Sequence, residues 1–140
     1  MFDVAVIGAG MAGLVCAQQL HSCGYKVVVV DKSRGLGGRV ATRRLHDTCA
    51  DHGACYLKPK GELPSRFVQL LYDRGIVQVW SDTHQYSQKQ LKTVTPSPGY
   101  VAPTGMSTIA KFLAAGLEIE RLQRVEAITW QEASSDLPLH

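Results

Sequence analysis

At 140 residues the chain is long enough to bury one hydrophobic core. A content of 45% hydrophobic and 19% charged residues is that of an ordinary globular protein, and a formal charge of +3 gives no nucleic-acid footprint. No apolar run is long enough to span a bilayer, so no membrane association is expected.

Phe2 to Ile7 reads as an apolar strand. It feeds into Gly8-Ala9-Gly10-Met11-Ala12-Gly13, a G-x-G-x-x-G turn that opens a helix over Met11 to about Ser22, with Gly24 at its C-terminal cap. Cys16 on that helix reads as a small buried hydrophobe. The β-branched run Val27 to Val30 does not alternate, so a strand buried on both faces is expected there, as in a parallel sheet. It ends in Asp31 and Lys32, at about the 20-residue spacing that a dinucleotide-binding βαβ unit sets between its glycines and its ribose-binding acid. In that unit Gly8 turns the chain off the strand, Gly10 lets a pyrophosphate approach the backbone, and Gly13 lets helix and sheet pack closely. The helix start at Met11 and Ala12 offers free N–H groups and a positive dipole end to phosphate. The expected fold is therefore α/β, a Rossmann-like FAD/NAD(P)-binding βαβ fold with a mostly parallel sheet.

The next stretch, Asp31 to Thr42, is too glycine-rich for a helix and reads as a loop. Its core is Arg34-Gly35-Leu36-Gly37-Gly38-Arg39. Such a loop can fold over an extended cofactor, with Arg39 on the pyrophosphate and the Thr42 hydroxyl beside it. A solvated loop with incidental arginines is the alternative. Arg43 and Arg44 are expected to face solvent or a local carboxylate. Cys49 to Tyr56 reads as extended or looped, with Cys55 a buried bystander. Pro64 suits the first turn of a helix running to about Arg74, with Phe67, Leu70 and Leu71 on one face. Ile76 to Trp80 reads as a strand, and Ser81 to Ser97 as polar with room for short strands.

A further helix starts near Gly105. Its apolar positions Met106, Ile109, Ala110 and Leu113 follow helical spacing, and Gly116 ends it. Leu117 to Arg121 and Val125 to Trp130 read as two strands; residues 131–140 carry little pattern and are expected to be an irregular tail. The four cysteines show neither a C-x-x-C pair nor zinc spacing, so no metal site is expected. Without a visible signal peptide, free thiols and a cytoplasmic location are the expectation.

Together the two glycine motifs, Gly8-x-Gly10-x-x-Gly13 and Arg34-Gly-Leu-Gly-Gly-Arg39-x-x-Thr42, resemble the FAD-binding signature of flavin-dependent amine oxidases, the renalase-like branch above all. Asp51-His52-Gly53-Ala54-Cys55-Tyr56 is similar to the family segment that runs beside the flavin, and Gly99 to Lys111 to the stretch that opens the helix before the third sheet strand. The resemblance reaches about Ile128. It implies non-covalent FAD, with cofactor-binding roles for Gly8, Gly10, Met11, Ala12, Gly13, Asp31, Lys32, Gly38, Arg39 and Gly53. It further implies one domain over 1–130, with the start of a substrate-domain insertion around 54–100. Two departures stand out: Asp31 replaces the longer Glu usual in the family, and family members are more than twice as long. The chain is accordingly expected to be an N-terminal, apparently truncated portion.

Three functional readings follow. The first is an FAD-dependent oxidoreductase acting on an amine or using NAD(P)H as electron donor. The second is a non-catalytic remnant or binding module, completed by a second chain or left with an exposed strand edge. The third is an NAD(P)-binding module, which would have no need of the second glycine loop. No residue stands out as acid, base or nucleophile; His52 and Tyr56 fall near the expected flavin, and neither is assigned a catalytic role.

Overall fold

The computed structural model describes residues 1–81 and 98–130. Its centre is a three-stranded parallel sheet in the order β1-β2-β7, built from β1 (Val4–Ile7), β2 (Val27–Asp31) and β7 (Glu118–Arg121). Val4 to Ile7 pair in register with Val27 to Val30, and Val28 to Asp31 with Glu118 to Arg121. β2 is thus the inner strand, which explains its unbroken valine run: Val27, Val28 and Val29 are all buried.

Helix α1 (Met11–Ser22) connects β1 to β2 and buries Leu14 and Ala17. Gly24 follows it with φ 90°, as expected of a glycine that ends a helix. Between β2 and β7 the chain makes a 3-10 turn at Gly38–Val40, a hairpin of β3 (Thr42–Leu45) and β4 (Thr48–Asp51), and helix α2 (Glu62–Asp73). Strands β5 (Gln78–Ser81) and β6 (Gly99–Val101) then pair antiparallel, and helix α3 (Ser107–Ala114) precedes β7. Helix α3 packs against α1 and is tied to it by Gln18, whose Nε2 donates to the carbonyls of Leu113 at 2.7 Å and Ala115 at 2.9 Å. Two α3 carbonyl-end groups are satisfied in this way. The core gathers Leu14, Ala17, Val29, Val40, Leu71, Met106, Ile109, Ala110 and Leu113, so all four apolar positions expected on the last helix are buried.

Several expectations are corrected. The segment from Val125 to Trp130 is not a strand: it is exposed throughout, with Ile128 at 82% and Trp130 at 91%, and has no pairing partner among the described residues. Without a ladder its β-branched residues do not fix a strand. Thr42–Leu45 is a strand that the arginine-rich sequence did not announce, and the glycine loop contains one 3-10 turn. Cys16 and Cys55 are exposed. Cys16 lies on the face of α1 away from Leu14 and Ala17, where it lines an apolar groove between α1 and α2 with Val15, Leu20, Leu63 and Phe67. The polar stretch expected to hold short strands falls mostly at 82–97, and the expected tail at 131–140; both lie outside the described residues.

Candidate cofactor site

The site is assembled at the C-terminal ends of β1 and β2. Gly8 turns off β1 with φ 101°, a left-handed conformation that glycine adopts without strain. Its N–H still donates to the Val30 carbonyl at 2.8 Å, so the turn starts from a fixed point on the sheet. A methyl group added at Gly13 would collide with the Gly8 carbonyl, which is why this position brings helix and strand into backbone contact. At Gly10 the opposite holds: an added methyl would meet nothing within 4 Å, so open space lies over this backbone. The first helical bond of α1 runs from the Leu14 N–H to the Gly10 carbonyl at 2.9 Å. The amides of Met11, Ala12 and Gly13 therefore have no helical acceptor. Gly10 offers no side-chain cap, and no acidic side chain occupies the first turn. This open, positively polarised end fits a diphosphate.

The second glycine loop is docked on the first. Gly37, at φ 107°, donates its N–H to the Ala9 carbonyl at 2.9 Å and forms a bridge with Gly10. A methyl added at Gly38 would stand 3.5 Å from the Gly10 Cα. The 3-10 turn then carries Arg39, exposed, next to the N-terminal end of α1. Gly53 sits directly against the Arg39 carbonyl, where any Cβ would collide, and the Ala54 N–H donates to that carbonyl at 2.8 Å. Thus Gly8, Gly10, Met11, Ala12, Gly13, Gly38, Arg39 and Gly53 are brought together, although they span more than forty positions of sequence.

Asp31 closes the other side. Its Oδ2 accepts the Ala9 N–H at 2.6 Å, and its Oδ1 accepts the Ser33 N–H at 2.6 Å. Partial burial pushes this carboxyl up, but the two amides and the charge of Lys32 outweigh that and hold it below the usual carboxylate range. An ionised carboxylate is the form that accepts ribose hydroxyls. Lys32 is exposed beside it.

Three further residues join the site. Gln123, Arg124 and Val125 line a cavity of about 220 Å³ with Ile7, Gly8 and Asp31. The Gln123 N–H donates to the Asp31 carbonyl at 3.0 Å, which anchors the segment. A signal existed in the sequence: residues that follow a parallel strand fall at the ligand-binding edge of such a sheet. Reading Val125 to Trp130 as a strand obscured it. The Thr42 hydroxyl, expected beside the pyrophosphate, is engaged elsewhere: it donates to Asp51 Oδ1 at 2.5 Å and accepts the Ser107 N–H at 2.9 Å. His52 and Tyr56 are both exposed. Among the described residues no group of His, Cys, Asp or Glu could hold a metal ion, and no helix is long and apolar enough to cross a membrane.

Comparison with known proteins agrees with this geometry. Residues 6–71 match the family described as NAD(P)-binding Rossmann-like domain. Over 129 residues, 87% of this chain, the sequence is 30% identical to an L-amino-acid oxidase of Crotalus adamanteus, of which it covers 25%. Over this stretch the chain is similar to amine oxidases. A shorter stretch of 43 residues is 51% identical to lysine-specific histone demethylase 1 homolog 1 of Arabidopsis thaliana, covering 31% of this chain and 5% of that protein. A solved putrescine oxidase overlays 56% of this chain and 17% of its own with a TM-score of 0.45 and 26% identity. The chain thus spans a quarter or less of the length of these relatives.

Proposed function

We propose that this amine-oxidase-like portion binds FAD non-covalently and forms the adenosine and diphosphate half of an FAD-dependent oxidoreductase. The observation that carries the reading is the docking of the second glycine loop on the first, through the Gly37 N–H to Ala9 carbonyl bond. A mononucleotide-binding turn needs only Gly8 to Gly13. A second loop that sets an arginine beside the same helix end suits a cofactor whose diphosphate is gripped from two sides.

In this reading the Met11 and Ala12 amides and Arg39 hold the diphosphate, Asp31 accepts the ribose hydroxyls, and the cavity at Gln123 to Val125 takes the adenine. When bound, the flavin supplies hydride acceptance, with an amine or a reduced nicotinamide as the small-molecule donor. The protein's part is to orient that cofactor and exclude water from it. Four free cysteines, all exposed, support a cytoplasmic setting.

Equilibrium binding of FAD, NAD and NADP to the purified chain tests the reading. Saturable binding with FAD preferred is expected; preference for NADP would overturn it. Anaerobic reduction of bound flavin by amines and by NADPH then identifies the donor class.

One observation favours a binding module that acts with a second chain. The β1 edge away from β2 has no partner among the described residues, and Ile7 on it is 56% exposed. A groove between α1 and α2 is also almost wholly apolar. An open strand edge and an apolar groove are each surfaces that a second polypeptide would cover. Size-exclusion chromatography of a chain that binds FAD without turnover distinguishes this reading: a stable complex with a second polypeptide supports it, and a monomer that reduces flavin over many cycles sinks it.

A further inference from the structure

We infer that Thr42 and Asp51 are positioning residues that latch the Arg39 turn to the start of α3, and so set where the arginine meets the cofactor; the inference rests on the FAD reading above. Thr42 and Asp51 face each other in the β3–β4 register. The Thr42 hydroxyl donates to Asp51 Oδ1 at 2.5 Å, and the same oxygen accepts the Met106 N–H at 2.9 Å. Thr42 Oγ1 in turn accepts the Ser107 N–H at 2.9 Å. The two side chains therefore satisfy two backbone donors at the start of α3, a helix that offers no side-chain cap of its own. The fit is close: Gly105, at φ 99°, lies so near that an added methyl would run into the Thr42 side chain.

The latch reaches the arginine through backbone. Two hydrogen bonds extend the hairpin toward the turn: the His52 N–H donates to the Ala41 carbonyl at 3.3 Å, and the Ala54 N–H to the Arg39 carbonyl at 2.8 Å. On the other side Gly37 abuts α3, since an added methyl there would stand 3.2 Å from the Ala110 Cβ. The Arg39 turn is thus held between α3, fixed to α1, and the β4 end, fixed to α3 by Asp51. Only a group that both donates and accepts can fill the Thr42 position in this relay. Serine keeps that ability and valine lacks it.

The test measures FAD affinity by flavin fluorescence for Thr42→Val and Thr42→Ser, each alone and combined with Arg39→Ala, beside amide hydrogen exchange. Loss of this partly buried relay predicts binding roughly five- to tenfold weaker for Thr42→Val. Thr42→Ser should bind as the parent does. In the Arg39→Ala background Thr42→Val should cost little more, because its effect passes through the arginine. Exchange at His52 and Ala54 should rise in Thr42→Val while Val28 to Val30 of β2 stay protected. Should Thr42→Val fail to fold, Asp51→Asn takes its place with the same readouts. An equal penalty with and without Arg39, or unchanged exchange at Ala54, overturns the latch. A parent chain that binds no FAD overturns the cofactor reading instead, and exchange at His52 and Ala54 then decides the latch alone.

Discussion

The Ala9 N–H donates to the Asp31 carboxylate at 2.6 Å, across the gap between β1 and β2. The acid expected to receive a ribose also ties down the turn expected to receive a phosphate. One residue thus couples the two halves of the candidate site. In this structure the short Asp side chain reaches the Ala9 amide from the end of β2.

Replacing Asp31 by Ala should destabilise the chain by on the order of 1.5–3 kcal/mol, the range for a hydrogen bond to a charged group. The pH dependence follows from its lowered pKa. A depressed folded-state value means stability that is fully present above the unfolded value of roughly 3.9 and lost as pH falls through the folded value. Urea unfolding of parent and Asp31→Asn at pH 7 and pH 3 checks the sign. Their difference should shrink at the lower pH; a difference that grows would show that Asp31 is not stabilised as its anion.

Arg39→Ala should weaken FAD binding by roughly tenfold or more, as expected for loss of one charge-assisted contact. Arg43→Ala and Arg44→Ala should change it much less. Those two are exposed on β3, paired with Ala50 and Cys49, and the glycine loop does not aim them. Titration of the three variants at one ionic strength settles the matter. Equal losses would mean that only the charge of the segment counts.

Much of this arrangement is legible in the sequence, for identifiable reasons. The glycine pattern and the valine run are local signals, and they place β1, α1 and β2 within a residue or two. The apolar spacing of Met106, Ile109, Ala110 and Leu113 does the same for α3. Contacts between distant segments are not local signals. Nothing in Gly53 announces that it abuts the Arg39 carbonyl, because that depends on the β3–β4 register. Thr42 looks like a phosphate ligand until α3 is placed against it. Cys16 looks buried because α1 is apolar on most sides, yet only the Leu14–Ala17 face meets the core. Val125 has strand propensity but no neighbouring strand among the described residues, and it lines the cavity beside Gly8 and Asp31 instead.

The last two glycines of the first motif, Gly10 and Gly13, should fail in opposite ways. Gly13→Ala places a methyl group against the Gly8 carbonyl, a backbone atom that cannot rotate aside. The helix must move off the strand, so a loss of several kcal/mol is expected, on the order of the largest single-substitution effects. Gly10→Ala meets no atom within 4 Å, and the φ of −78° at Gly10 is open to any L-residue. The folded chain should be as stable as the parent, or more so by roughly 0.4–1 kcal/mol, because alanine restricts the unfolded state. Its new methyl group nevertheless stands where a diphosphate would approach the amides of Met11 and Ala12. FAD affinity should therefore fall sharply in Gly10→Ala while its melting temperature holds, and both should fall in Gly13→Ala. Thermal unfolding and FAD titration of the pair separate the roles. Undiminished FAD binding by Gly10→Ala would show that the phosphates do not lie over this backbone, and the site would have to be placed elsewhere on the fold.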